Sequence, residues 1–328
     1  MPIRKRRAAL VLAVVGLLFV GAVAALLMTL GGDKLMPWRD ECSVTDPDGD
    51  GGGTTVRMTP EQLGNAATIA LVGRRAKVSE RGVTIALATA MQESKLTNPR
   101  YGDRDSQGLF QQRPSQGWGT VEQVRDARYA TRAFFSALEQ VDGYQQMSVH
   151  EAAQSVQHSA DGSAYAQHTD SVRVLAAALT GRRAAAFTCE VDSPPASGEE
   201  PGRSGLTPAA ARLRREVASV VGPIPVGGFD PDGVTSGHSS DSAHYDGRAI
   251  DYFFRPVTDA STQRGWALAS YLVANADRLD VATVIFSDAI WTARRSSEGW
   301  RAYDPGSLDG GAGDEVRRHL DHVHVDVA

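Results

Sequence analysis

Five of the eight histidines in this 328-residue chain fall in two short clusters, and a fold must bring those clusters together for them to act. One is Ser242-Ala243-His244-Tyr245-Asp246-Gly247-Arg248-Ala249-Ile250-Asp251, with His238 just before it; the other is His319-Leu320-Asp321-His322-Val323-His324. Alternation in Arg248–Phe254 and His322–Val327 predicts strands, on which residues two apart share a face. Asp251 then turns one way while Ile250 and Tyr252 turn the other, and His322 and His324 look to one side. An imidazole, a carboxylate and a second imidazole would hold a mononuclear metal with a fourth position left for water. The alternative is a polar network closing the core. Gly247 is expected to let backbone approach the metal closely.

The ends predict export. Met1-Pro2-Ile3-Arg4-Lys5-Arg6-Arg7 precedes an uncharged apolar run from Ala8 to about Leu30. That run is long enough to cross a hydrocarbon core of ~30 Å, and the flanking charges put the N-terminus inside. A cleaved signal peptide is the rival reading, but the run continues through Leu26, Leu27 and Leu30. The expected localisation is therefore the cell membrane, single-pass, with later domains on the extracytoplasmic side. Cys42 and Cys189 are the only cysteines. An even count in an oxidising compartment predicts a disulfide, with two free thiols as the alternative. A formal net charge of -5 gives no footprint of nucleic-acid binding.

Composition divides the chain further. A basic tail (1–7), an anchor (8–30) and a flexible spacer (31–55) are followed by a first domain (56–190). A Pro/Gly/Ser linker (191–205) and a second domain (206–328) complete it. Asp46-Pro47-Asp48-Gly49-Asp50-Gly51 begins like a calcium loop, but its twelfth position is Arg57 rather than glutamate, so a spacer is expected. Helices are expected at Pro60 onward, with Thr59 as N-cap, through Val83 to Ser94, and over Val121–Glu139, Val149–His158 and Ala164–Leu179. The second domain mixes helices (Pro208–Val221, Gln263–Asp277) with strands (Arg248–Phe254, Val281–Phe286, His322–Val327). The fold expected overall is α+β multidomain: one transmembrane helix, an all-α domain, then an α+β domain.

In the first domain Glu93 ends a nearly all-apolar helical run. Partial desolvation there would raise its pKa toward the range of a general acid. Fifteen residues on lies Gly108-Leu109-Phe110-Gln111. A Glu-Ser pair followed at that spacing by Gly-Leu-Phe-Gln resembles the lysozyme-like domain of soluble lytic transglycosylases. The resemblance implies that Glu93 is the catalytic acid/base on peptidoglycan, with Ser94 and Gln111 as supporting substrate contacts. The Tyr-Asn-Ala-Gly segment frequent in that family has no clear counterpart, Ala152-Ala153-Gln154-Ser155-Val156-Gln157 being nearest, so transglycosylation and hydrolysis both stay open. Asp103 or Asp105 could supply a second carboxylate or only Asx-turns. Trp118 is expected either to stack on sugar or to fill core.

The segment Ser242-x-His244-x-x-Gly247-x-Ala249-x-Asp251 resembles zinc peptidases of the D-Ala-D-Ala carboxypeptidase and hedgehog type. That resemblance implies Zn²⁺ held by His244, Asp251 and His324. It gives catalytic roles to Asp321, where the family commonly has a glutamate base, and to His322. His238 and His319 are spare. Ala269–Asp277 and Val284-Ile285-Phe286 further resemble modules of exported actinobacterial cell-wall proteins. The expected activity is a two-headed peptidoglycan hydrolase: a lytic transglycosylase or muramidase joined to a metallopeptidase. The expected partners are peptidoglycan and the cell membrane. The alternatives are a single active head with a wall-binding module, or a wall-remodelling part of a secretion or conjugation apparatus.

Overall fold

The computed structural model describes residues 41–46, 54–157, 163–195, 197–308, 310–311 and 313–328. Residues Asp40–Ala328 form one compact unit. Strands β1 (Glu41–Asp46) and β2 (Thr54–Met58) open it, followed by helices α1 (Pro60–Arg75) and α2 (Glu80–Ser94). Next come α3 (Val121–Arg125), α4 (Ala127–Leu138), α5 (Val149–Gln157), α6 (Ser163–Ala166) and α7 (Thr169–Leu179), then β3 (Phe187–Glu190). The second half contains α8 (Pro208–Val221), β4 (Val226–Gly227), β5 (Ala249–Phe253), α9 (Asp259–Ala274) and α10 (Ala276–Leu279). It ends with β6 (Val281–Phe286), β7 (Ala289–Thr292), β8 (Arg301–Ala302), α11 (Asp314–Arg317) and β9 (His322–Val327).

Two expectations about the fold are corrected. Among the described residues no helix is long and apolar enough to cross a membrane. The longest, α1 and α9, have 16 residues each, which extend only about 24 Å against a core of ~30 Å. Both spend their apolar residues on the protein interior. The expected anchor, 8–30, lies outside the described residues, and the single-pass membrane topology and cell-membrane localisation drawn from it are withdrawn. The first half is also not all-α. Strands β2, β1 and β3 form an antiparallel sheet in that order. Strand β1 falls in the stretch expected to be spacer, its six residues being too short for alternation to stand out. Residues 47–53, where the calcium-like sequence continues, lie outside the described residues.

Caps explain the other departures. The helix expected over Val121–Glu139 is interrupted at Asp126, whose carboxylate accepts the amides of Arg128 and Tyr129 at 2.9 and 2.8 Å and restarts the chain as α4. Thr59 caps α1 in a capping box with Gln62, as the Thr-Pro start predicts. Lys95, in the left-handed conformation, terminates α2 one residue after Ser94.

The second sheet has six strands in the order β4-β5-β9-β6-β7-β8, with every pairing antiparallel. Ile250, Tyr252, Val323, Val325, Val284, Phe286 and Trp291 turn to one face and are buried, where α8 and α9 cover the sheet. Each such side chain contributes roughly 1.5–3 kcal/mol. Helix α9 also packs on α1 and α7 of the first half, so one hydrophobic core runs through both halves. Gly181 marks how close that approach is: a Cβ there would stand 2.0 Å from the Gln263 carbonyl oxygen. The opposite face of the sheet carries the polar cluster.

Candidate metal centre and carboxyl site

Register builds the cluster. Asp251 on β5 pairs directly with His324 on β9, and Phe253 pairs with His322, so these side chains share one face. His244 arrives from a tight turn in which the Arg248 amide donates to Ala243 O (2.9 Å) and the Gly247 amide to His244 O (3.2 Å). His244, Asp251 and His324 are all buried, and they form a group that could hold a metal ion.

Their ligating atoms make a small triangle. His244 Nε2 lies 3.1 Å from His324 Nδ1 and 3.3 Å from Asp251 Oδ1, and the third edge, His324 Nδ1 to Asp251 Oδ1, is 3.2 Å. A tetrahedral ion with bonds of about 2.0–2.1 Å sets its donors about 3.3–3.4 Å apart. The outer nitrogens are already committed: His244 Nδ1 donates to Gly228 O at 2.6 Å, and His324 Nε2 to Asp326 Oδ2 at 3.5 Å. Each inner nitrogen therefore presents a lone pair, the tautomer a metal ligand needs. Two lone pairs and a carboxylate facing one another need a cation between them. A proton is one solution: burial pushes the His324 pKa down, but hydrogen bonds to Asp251 and Asp326 outweigh it and raise it to about 9. Burial pushes the Asp251 pKa up, yet the bonds from His244 and His324 hold it far below the usual carboxylate range. A metal satisfies the same three atoms by displacing that proton.

His322 stands beside the triangle, its Nε2 3.7 Å from Asp251 Oδ1. Its Nδ1 donates to Asp321 Oδ1 at 2.7 Å, while Asp321 Oδ2 accepts from Arg255 Nε at 2.6 Å. Both Asp321 oxygens are thus engaged away from the cluster, and the residue orients His322. Of the spare histidines, His238 stacks on His244 with ring centroids 4.0 Å apart. His319 lies 4.6 Å from His322 and 5.8 Å from His324 by the same measure. Burial among these rings lowers the His319 pKa to about 3.

Sequence reasoning placed the close backbone approach at the wrong glycine. Gly247 (φ +66°) faces the second half's own loop, where a Cβ would meet Gly205 O at 2.3 Å. Gly228 (φ +79°) is the one the site requires, since a Cβ there would fall 2.3 Å from His244 Cε1. It lies sixteen residues before His244, with no motif to mark it.

Glu93 sits in the last turn of α2, half-buried. Burial raises its pKa, opposed by hydrogen bonds from Tyr165 and Gln157. Tyr165 Oη donates to Glu93 Oε1 at 2.7 Å. Sequence reasoning missed this partner, which lies 72 residues away on α6, the first piece of the helix expected over Ala164–Leu179 that the structure splits into α6 and α7. Ser94 and Gln111 have internal partners. Ser94 Oγ donates to Leu109 O at 2.7 Å, tying the helix to the Gly-Leu-Phe-Gln loop. Gln111 Nε2 donates to Gly108 O at 3.1 Å. Trp118 is half-buried and packs on the core.

Asp105 is clamped by Arg113 (2.7 Å) and the Ser115 amide (2.8 Å), which hold its carboxyl well below the ordinary range. Asp103 is almost fully exposed. Cys42 and Cys189, opposite each other on β1 and β3, are joined by a disulfide.

No curated protein matches the chain. Residues 202–314 match the family described as VldE, C-terminal domain. The matched stretch includes Gly228, His244 and Asp251 and ends before the strand that carries His322 and His324.

Proposed function

We infer that this chain is a two-headed hydrolase of peptidoglycan, cutting the glycan at Glu93 and peptides at the His244–Asp251–His324 cluster. The observation that carries the reading is the triangle of 3.1–3.3 Å edges, whose outer nitrogens are held by Gly228 and Asp326. Two imidazoles and one carboxylate with that spacing suit Zn²⁺. When bound there, zinc would polarise an amide carbonyl and lower the pKa of a bound water.

The chain's own groups supply the rest. His322, oriented by Asp321 and through it by Arg255, can hold a proton at Nε2 beside the cluster and hand it to a leaving amine. At the other head, a carboxyl with a raised pKa keeps its proton to higher pH than a solvated one and can give it to a glycosidic oxygen. Of the two candidate second carboxylates, Asp105 is clamped by Arg113 and Ser115 while Asp103 is almost fully exposed, and the products of cleavage decide between a lytic transglycosylase and a muramidase.

The test is a digest of purified peptidoglycan by the full-length chain with zinc, read by mass spectrometry beside Glu93→Gln and His244→Ala. Anhydro-sugar ends lost only with Glu93→Gln support the glycan head, and reducing ends in their place make it a muramidase. Free peptides or amines lost only with His244→Ala support the peptidase head. An intact chain that releases nothing from several wall chemotypes sinks the proposal.

A further inference from the structure

The metal cluster is one end of a row of side chains crossing the sheet. Asp251 pairs with His324, His324 with Ile285, Ile285 with Ile290, and Ile290 with Arg301. Directly paired residues of antiparallel strands point to the same side. Arg301 on β8 therefore looks out over the same face as the metal ligands, three strand-to-strand steps from His324, or about 14 Å. This face borders an open groove of about 1420 Å³ lined by Thr283, Ile290, Thr292 and Arg301 together with Pro201 and Tyr303. Packed rings link the groove's edge to the cluster: the Tyr303 ring lies 4.9 Å from His319, which in turn packs against His322 and His324.

Arg301 carries an unmet donor in it. One of its terminal nitrogens donates to Thr292 Oγ1 at 2.9 Å. Its Nε is shielded from solvent and has no hydrogen-bond partner, and Arg301 forms no ion pair among the described residues. A guanidinium N–H left so is costly unless an acceptor arrives. Of the neighbouring cations, Arg248 pairs with Asp246 at 2.9 Å and Arg295 with Glu298 at 2.6 Å, while Arg294 also lines the groove. Glu200 and Asp304 also line the groove, so it offers both signs to a ligand that carries both.

We propose that this face binds an extended peptide and that Arg301 anchors one of its free carboxylates about 14 Å from the metal cluster, some four residues at ~3.4 Å each. The proposal rests on the peptidase reading and adds what the substrate must carry. It makes Arg301 a specificity residue remote from the chemistry, and it favours short acidic peptides over neutral ones.

Binding tests it without turnover. The probes are the tetrapeptide L-Ala-γ-D-Glu-L-Lys-D-Ala and its twin with both carboxyls amidated. They are titrated calorimetrically into chelator-treated full-length wild type, Arg301→Gln and Arg301→Lys. The expected result is that Arg301→Gln weakens the free-acid peptide about 10- to 100-fold. It should leave the amidated twin unchanged, with Arg301→Lys in between. Equal effects on both peptides, or no binding of either by wild type, overturn the proposal. Because the metal is absent, the outcome is separate from that of the digest: coupling without peptide cleavage keeps the groove and removes the peptidase, and cleavage without coupling does the reverse.

Discussion

Tyr165 donates its phenolic hydrogen to Glu93 Oε1 across 2.7 Å, joining residues 72 positions apart. The bond favours the ionised carboxylate and so pulls the Glu93 pKa down against the burial that raises it. Tyr165→Phe removes one of the two opposing contributions, that of Gln157 remaining. The carboxyl should then stay protonated to higher pH, moving the alkaline limb of the proposed glycan cleavage upward. A pH–rate profile of the variant decides it; an unmoved limb with an unchanged maximum would mean that Tyr165 does not act on the reacting carboxyl.

The same carboxyl affects stability in a direction set by its sign. A group whose folded pKa is raised binds its proton more tightly in the folded state. Folding therefore loses stability as pH rises from the unfolded value, about 4.3, through the folded one. Glu93→Gln imitates the protonated form. It should unfold at a higher denaturant concentration than wild type at pH 7 and at the same concentration near pH 3. Equal midpoints at both pH values would count against the buried, perturbed carboxyl.

At the other site, Asp326 holds His324 Nε2 and leaves Nδ1 free for a metal. Partners of this kind fix ring orientation and tautomer, and their loss costs about 10–100-fold in metal affinity. Asp326→Ala should lower zinc affinity by that factor in competition with a chromophoric chelator, while the circular dichroism spectrum stays that of wild type. Unchanged affinity would remove Asp326 from the site.

Two glycines separate metal binding from folding. Gly228→Ala would put a methyl group 2.3 Å from His244 Cε1, and Gly247→Ala one 2.3 Å from Gly205 O, each at positive φ. Both should destabilise the protein by about 1–3 kcal/mol. Only Gly228→Ala should also weaken zinc binding in the protein that remains folded. Equal metal affinity in the two variants would show that His244 does not depend on Gly228 for its place.

The legible parts of this fold were those with a period or a pair of residues to mark them. His322, His324 and Asp251 could be put on one face because a strand alternates, and Glu93 could be put at the end of a buried helix because an apolar run precedes it. Gly228, Asp326 and Tyr165 could not: each acts through one contact made by distant backbone or a single side chain, and nothing local distinguishes it. Arg255 was hidden for the same reason, since its partner Asp321 lies 66 residues away. The apolar run near the N-terminus shows the reverse error, a strong local pattern that fixed a topology the described helices do not contain.

Strand β1 belongs to the hidden class, and its bond to β3 has a measurable consequence. Cys42 and Cys189 are 147 residues apart, so their disulfide closes a loop that holds α1 to α7 and β2. Chain-entropy reasoning gives about 5 kcal/mol for a loop of this length, and measured losses run about 2–5 kcal/mol. Serine at both positions should lower stability within that range. Because β1 and β3 keep their backbone pairing, the double variant should still fold and still bind zinc, the metal cluster lying on the other sheet. The check is a denaturant titration of the double variant with and without zinc. A loss below about 0.5 kcal/mol would show that β1 stays in place by pairing and packing alone, as surface substitutions commonly do no more than this.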